Sequence, residues 1–240
     1  LNYFTFVDVW KNKLILTALL IIAVLGIFFP TSTSAMWEGE ADPSFHFDEN
    51  GVLISAPINA IFPDKEVAMT IAAAVGDEVE DVILLDELKR IKFLNLEDRN
   101  IKSLEGIQHL TELEILVCGS NKLTSLDVSQ NKKLVELHCD RNEISSLQLD
   151  NPKLKVLYAD SNRLSYLDTA GLPKLMELNV GINDLVSLDL TKNPELETLS
   201  GYMNNDLEVV DLSPLAEEKG ISLNFFTKTY QMIDNMLIFR

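Results

Sequence analysis

The chain has 240 residues, enough for one sizeable domain with an appendage, and a composition that is ordinary for a globular protein apart from its charge. Its 37 acidic and 20 basic residues give a formal net charge of -17. That balance argues against nucleic acid or an anionic membrane surface as partner, since both repel such a chain at long range, and favours a basic or neutral one.

At the N-terminus Lys11 and Lys13 precede the unbroken apolar run Leu14 to Phe29, which is followed by Pro30 and the small-residue stretch "TSTSA". This pattern predicts a secretory signal peptide over residues 1–35, cleaved after Ala35, and the leading Leu1 reads as either an alternative start or a fragment, so that "LNYFTFVDVW" is an upstream extension set apart from the fold. An uncleaved signal anchor is the alternative. Residues 36–56 read as a leader in which Asn50-Gly51, set between alternating apolar residues, predicts a hairpin turn with positive φ at both positions. Residues 57–90 read as a small helical cap. "IFPDKEVAMTIAAAVG" starts a helix at Asp64 and stops it at Gly76, and "DEVEDVILLDELKRI" adds an acidic link and a further helical turn or two.

From residue 91 to 215 a repeat takes over, and about six units are expected. Asn121, Asn142, Asn162 and Asn183 are spaced by 21, 20 and 21 residues, and Asn205 follows after 22. Apolar residues precede each asparagine at fixed offsets, as in Leu113, Leu116 and Cys118, or Leu134, Leu137 and Cys139. The predicted fold is an α/β leucine-rich-repeat solenoid, with a parallel β-sheet on the concave face, short 3₁₀ and turn segments on the convex face and the helical cap at its N-terminal end. In each unit the first, fourth and sixth strand positions face inward and the third, fifth and seventh outward. The asparagine amides are expected to satisfy backbone groups that the turns leave unpaired inside. Two departures stand out: Arg99 occupies the asparagine position of the first unit, and Gly201 an inward position of the last. Residues 216–240 read as a C-terminal segment that supplies an incomplete cap, with one closing strand.

The cap sequence "INAIFPDKEVAMTIAAAVG", followed by "IKSLEGIQHLTELEIL", resembles the internalin-like leucine-rich-repeat proteins of Gram-positive bacteria, and "LVCGSNKLTSLDVSQNKKLVELHCDRN" is similar to the cysteine-bearing repeats of their internalin J type. The resemblance spans roughly residues 57 to 215. It implies a secreted or cell-surface protein that recognises or adheres to an extracellular protein or glycan through the concave face. The chain carries no LPxTG sorting signal and too few residues after Pro214 for the immunoglobulin-like domain that usually follows internalin repeats. A second reading is therefore a truncated or degenerate fragment of a longer surface protein with a structural role.

Cys118 and Cys139 fall on the same inward position of consecutive units and predict a stacked cysteine ladder in the core. A disulfide between them is the alternative in an exported chain, opposed by side chains that point in parallel. Among the outward positions, Phe93, Ile115, Val117, Val156, Tyr158 and Tyr202 are expected to form an apolar patch, with Tyr158 and Tyr202 as its anchors and His138 within it. Glu136, Asp140, Asp160 and Glu177 share that face, and an acid–base or cation site there competes with plain solvated decoration. A shallow concave sheet does not exclude water, which favours decoration. The chain has no nucleophile motif, phosphate-binding loop or zinc-ligand pattern, so neither catalytic residues nor metal nor cofactor is expected.

Overall fold

The computed structural model describes residues 44–212, 222–225, 230–233 and 236–239. The expected signal peptide, residues 36–43 of the leader and part of the 216–240 segment lie outside the described residues.

The N-terminal unit is built around a helix, Lys65–Val75. Its start is set by the Asp64 carboxylate, whose Oδ1 accepts from the backbone N–H groups of Glu66 and Val67, and its end by Gly76, which takes the left-handed conformation at φ 89°. The acidic link runs into a strand that was not expected, Val82–Leu84, and the further helical turn follows as a 3₁₀ turn at Glu87–Arg90. The strand pairs antiparallel with Leu53–Pro57, which in turn pairs with His46–Phe47. Cross-strand partners thus set the conformation of Val82–Leu84. In the intervening loop only Gly51 has positive φ, at 79°. Asp48 takes over the role expected of Asn50, since its Oδ1 accepts from the N–H groups of Asn50 and Val52.

The cap is seated on the first repeat at two points. Asp64 Oδ2 accepts from the Lys102 N–H. Gly106, at φ 95°, lies directly against the Ile61 carbonyl and the Phe62 ring, and a Cβ there would overlap both.

Seven parallel strands then form the main sheet: Phe93–Asn95, Ile115–Val117, Glu136–His138, Val156–Tyr158, Glu177–Asn179, Thr198–Ser200 and Ser222–Asn224. Their register is unbroken from Leu94 through Leu116, Leu137, Leu157, Leu178 and Leu199 to Leu223, which places equivalent residues of successive turns side by side. Behind this sheet runs one continuous core of leucines, closed at the N-terminal end by Phe62 and Ile71. Opposite the main sheet a 3₁₀ turn forms at Ile107–His109, and later units add short strands. Ser125–Asp127 pairs with Ser146–Gln148, and Ser187–Asp189 with Val209–Asp211, all parallel.

Where one closing strand was expected after residue 215, the described residues show three. Ser222–Asn224 extends the main sheet, and the antiparallel hairpin Tyr230–Ile233 and Met236–Phe239 pairs with Val209–Asp211. The Phe225 ring lies over Gly201, filling the inward space that this residue leaves.

Two ladders of buried side chains join the turns. In the first, Asn162 Nδ2 donates to the carbonyls of Cys139, Ala159 and Asp160, and its Oδ1 accepts from the Ile144 N–H of the preceding turn. Asn121, Asn142 and Asn183 repeat this pattern. In the fifth turn the position belongs to Asn204, not Asn205. Asn204 is 2% exposed, donates to the Val180 and Gly201 carbonyls and accepts from the Leu185 N–H. Asn205 is exposed, because the ladder position lies eight residues after the first inward leucine, here Leu196, and Asn205 lies nine after it. The second ladder, Asn131, Asn151 and Asn193, runs through the turns before the strands. Asn151 Nδ2 donates to the carbonyls of Val128 and Asn131, and Asn193 Nδ2 to those of Thr169 and Leu172.

Each first-ladder asparagine follows a residue with positive φ: Ser120, Arg141, Ser161, Ile182 and Met203. Ile182, at φ 51°, is β-branched and 39% exposed, so its side chain gains little from packing while its backbone is strained.

Two predictions follow from these turns. Asn204→Ala strips partners from buried backbone groups and should lower the unfolding free energy by about 3 kcal/mol, whereas Asn205→Ala should change it by less than about 0.5 kcal/mol. Urea denaturation of both variants checks this, and equal losses would return the ladder position to Asn205. In the same assay Ile182→Asn should stabilise the fold by about 1 kcal/mol, because asparagine tolerates the left-handed conformation.

Candidate functional site: the concave face

The register turns the outward positions into three rows across the strands. The fifth-position row reads Asn95, Val117, His138, Tyr158, Asn179 and Ser200. The third-position row reads Phe93, Ile115, Glu136, Val156, Glu177 and Thr198. Glu97, Gly119, Asp140, Asp160, Gly181 and Tyr202 occupy the seventh position.

These rows bring most of the predicted patch together. Phe93, 58% exposed, adjoins Ile115, which shares a strand with Val117. Val117 sits beside His138, and His138 meets Tyr158 edge to face with ring centroids 4.9 Å apart and planes at 82°. Val156 completes the band from the Tyr158 strand. Tyr202 is not part of it. The Glu177–Asn179 strand lies between, and the Tyr202 ring is laid over Gly181, where a Cβ would come within 2.6 Å of Cδ1. The glycine at this position therefore allows the tyrosine its place.

Carboxylates border the band on both sides. The Tyr158 hydroxyl donates to Glu177 Oε2 at 2.9 Å, and this bond raises the phenol's pKa. His138 Nε2 lies 3.7 Å from Glu136 Oε2. On the seventh-position side, Arg141 bridges two acids, with Nε 2.9 Å from Asp140 Oδ2 and a terminal guanidinium nitrogen 3.2 Å from Glu97 Oε1. Asp160 Oδ1 accepts from Asn179 Nδ2 at 2.9 Å. Burial, together with the neighbouring Asp140 charge, pushes the Asp160 carboxyl above the usual carboxylate range. Burial and the Asp160 charge likewise raise the Tyr202 phenol.

The face is shallow. A polar depression lined by Asn95, Glu97, Asp98, Arg99, Ser120 and Arg141 opens at its N-terminal end, on the far side of the band from Tyr202. Among the described residues no group of three or more His, Cys, Asp or Glu side chains is placed to hold a metal ion. Beneath the face, Cys118 and Cys139 are free, fully buried thiols, and burial pushes both well above their ordinary pKa. Their inward column continues through Ala159 and Val180.

No protein-family model matches the chain. Internalin J of Listeria monocytogenes is 37% identical over 73 residues, which make up 30% of this chain and 8% of that protein. The solved functional domain of Listeria monocytogenes internalin J, described as including a cysteine ladder, superposes with a TM-score of 0.69 at 32% identity, over 75% of this chain and 40% of that one. The chain is a leucine-rich-repeat solenoid similar to the internalins. It spans 40% of the internalin J domain's length and 8% of the full internalin J protein. A secreted internalin-like protein of the same species shares the fold at 19% identity, with a TM-score of 0.56 over 72% of this chain and 66% of that one.

Within these repeats, sequence reasoning expected an apolar patch over Phe93, Ile115, Val117, Val156, Tyr158 and Tyr202 but missed how its neighbours interlock. The Tyr158–Glu177 and Asn179–Asp160 bonds join side chains 19 residues apart, in adjacent rows of successive turns. Writing the repeats in columns exposes these proximities. The rotamers that close the bonds come from packing.

The raised Asp160 pKa carries a sign. The folded state holds this proton more tightly than the unfolded chain, so ionisation opposes folding at neutral pH, and the cost fades as pH falls through the folded value to the unfolded one. Asp160→Asn keeps the acceptor for Asn179 and should raise the melting temperature at pH 7, with the gain shrinking to nothing below the ordinary carboxylate range. Calorimetry across pH measures this. A lower melting temperature at pH 7 would show that Asp160 stabilises the turn as an anion.

Proposed function

We propose that the chain is a secreted or cell-surface recognition protein that binds an extracellular protein through its concave face, without catalysis. The observation that carries this reading is the Ile115, Val117, His138, Tyr158 and Val156 band, held in register on a rigid parallel sheet. Ordered aromatic and aliphatic side chains on a curved, continuous surface suit protein recognition, because little side-chain entropy is lost when they are covered. Kinship with internalin J supports the same use. Export is supported by the apolar N-terminal run and by the secreted internalin-like relative. A glycan is the other occupant that the face admits, with Tyr158 as its stacking platform.

An array of purified extracellular proteins and neutral glycans, probed with the labelled chain, tests the proposal. Binding should be strongest to a protein, and Val117→Asp combined with Tyr158→Ala should weaken it at least tenfold, in keeping with the loss of a central anchor worth about 2 kcal/mol. The circular dichroism spectrum should be unchanged. Undiminished binding by the double variant would remove the concave face from the function, and glycan binding alone would replace the protein partner.

A further inference from the structure

We infer that the partner seated on the concave face presents an apolar ridge flanked on both sides by lysine or arginine. The inference rests on the recognition reading above and adds the chemistry of the occupant.

The central residue is Tyr158. On its third-position side stands Glu177, which accepts the Tyr158 hydroxyl, and on its seventh-position side stands Asp160, which accepts the Asn179 amide. Both carboxylates are partly buried, and among the described residues no cation makes a contact ion pair with either, the Arg141 charge acting on Asp160 only from a distance. The face's own cation, Arg141, is held by Glu97 and Asp140. The nearby lysines Lys153 and Lys155 are exposed in the turn ahead of the Val156–Tyr158 strand, outside the three rows. Carboxylates thus stand on both sides of Tyr158, Glu177 in the third-position row beside Val156 and Asp160 in the seventh, in a chain whose net charge is already -17.

An acidic partner would add like charges to a partly desolvated surface, and a wholly apolar one would bury Glu177 and Asp160 without counter-ions. Either costs more than seating a cation beside each carboxylate. The third- and seventh-position rows are four residues apart along the strands, about 13 Å. An α-helix is about 10–12 Å across, so an amphipathic basic helix laid along the fifth-position row reaches both margins.

The probes are three synthetic peptides titrated into the full chain by calorimetry at low and moderate salt: an amphipathic leucine–lysine helix, its leucine–glutamate twin and an oligolysine. The leucine–lysine peptide should bind most tightly, weaken as salt rises, and lose about fivefold in affinity on Glu177→Gln with Asp160→Asn. Glu195→Gln with Asp206→Asn removes the same charge from exposed sites off the face and should leave the affinity unchanged. Val117→Asp with Tyr158→Ala removes the apolar centre while adding a carboxylate, and should weaken the leucine–lysine peptide without weakening oligolysine. Equal losses in the two charge-matched variants, or equal binding of the glutamate twin, would overturn the basic partner while leaving the concave-face reading intact. That reading fails separately, if the Val117 and Tyr158 variant keeps its binding on the protein array.

Discussion

The buried asparagine side chain that joins one turn to the next is the interaction on which the rest of the structure depends. A single amide, as at Asn162, donates to three carbonyls and accepts from an N–H of the preceding turn. Each turn of a solenoid contacts only its neighbours, so a turn that left these groups unpaired would have nothing else to compensate it. The asparagine also imposes the left-handed residue before it, which even Ile182 adopts at φ 51°. Local strain is accepted because the bonds it makes possible are worth more.

From that constraint the concave face follows. The constant offset from each turn's first leucine to its asparagine holds the strands in strict register, and strict register converts one position of the repeat into a row of side chains on a surface. The core beneath is mostly leucine, with isoleucine and valine at Ile101, Val128 and Ile144, and the column of Cys118, Cys139, Ala159 and Val180 carries the smaller side chains. The outward rows are free to vary. They hold both the apolar band and its acidic margins, and the scaffold fixes their spacing whatever their chemistry.

The ends of the solenoid obey a different logic from its middle. At the N-terminal end, Asp64 and Gly106 couple a helix to the first turn, one by a hydrogen bond and the other by leaving room. At the other end Phe225 closes over Gly201 and a hairpin pairs with Val209–Asp211. Neither device repeats, so no period announces it.

The period of leucines and asparagines by itself determined the solenoid, the inward and outward assignment of nearly every strand residue and the columns that hold Cys118, Cys139 and Tyr158, because a repeating side-chain pattern admits one stacked solution. It was misread at Asn205, where spacing between asparagines was used in place of the constant offset from Leu196 to Asn204. The second ladder was legible as the recurring Asn-x-x-Leu of Asn131, Asn151 and Asn193, and was obscured where Leu172 interrupts it. Only the tertiary structure decided that Val82–Leu84 is a strand, that Tyr202 is parted from Tyr158, and that Glu177 and Asp160 stand on either side of it. The physical reason is one of range. A period records contacts that recur at every turn, whereas cross-strand pairing in the cap and the rotamers on the face depend on single neighbours brought close by the folded chain.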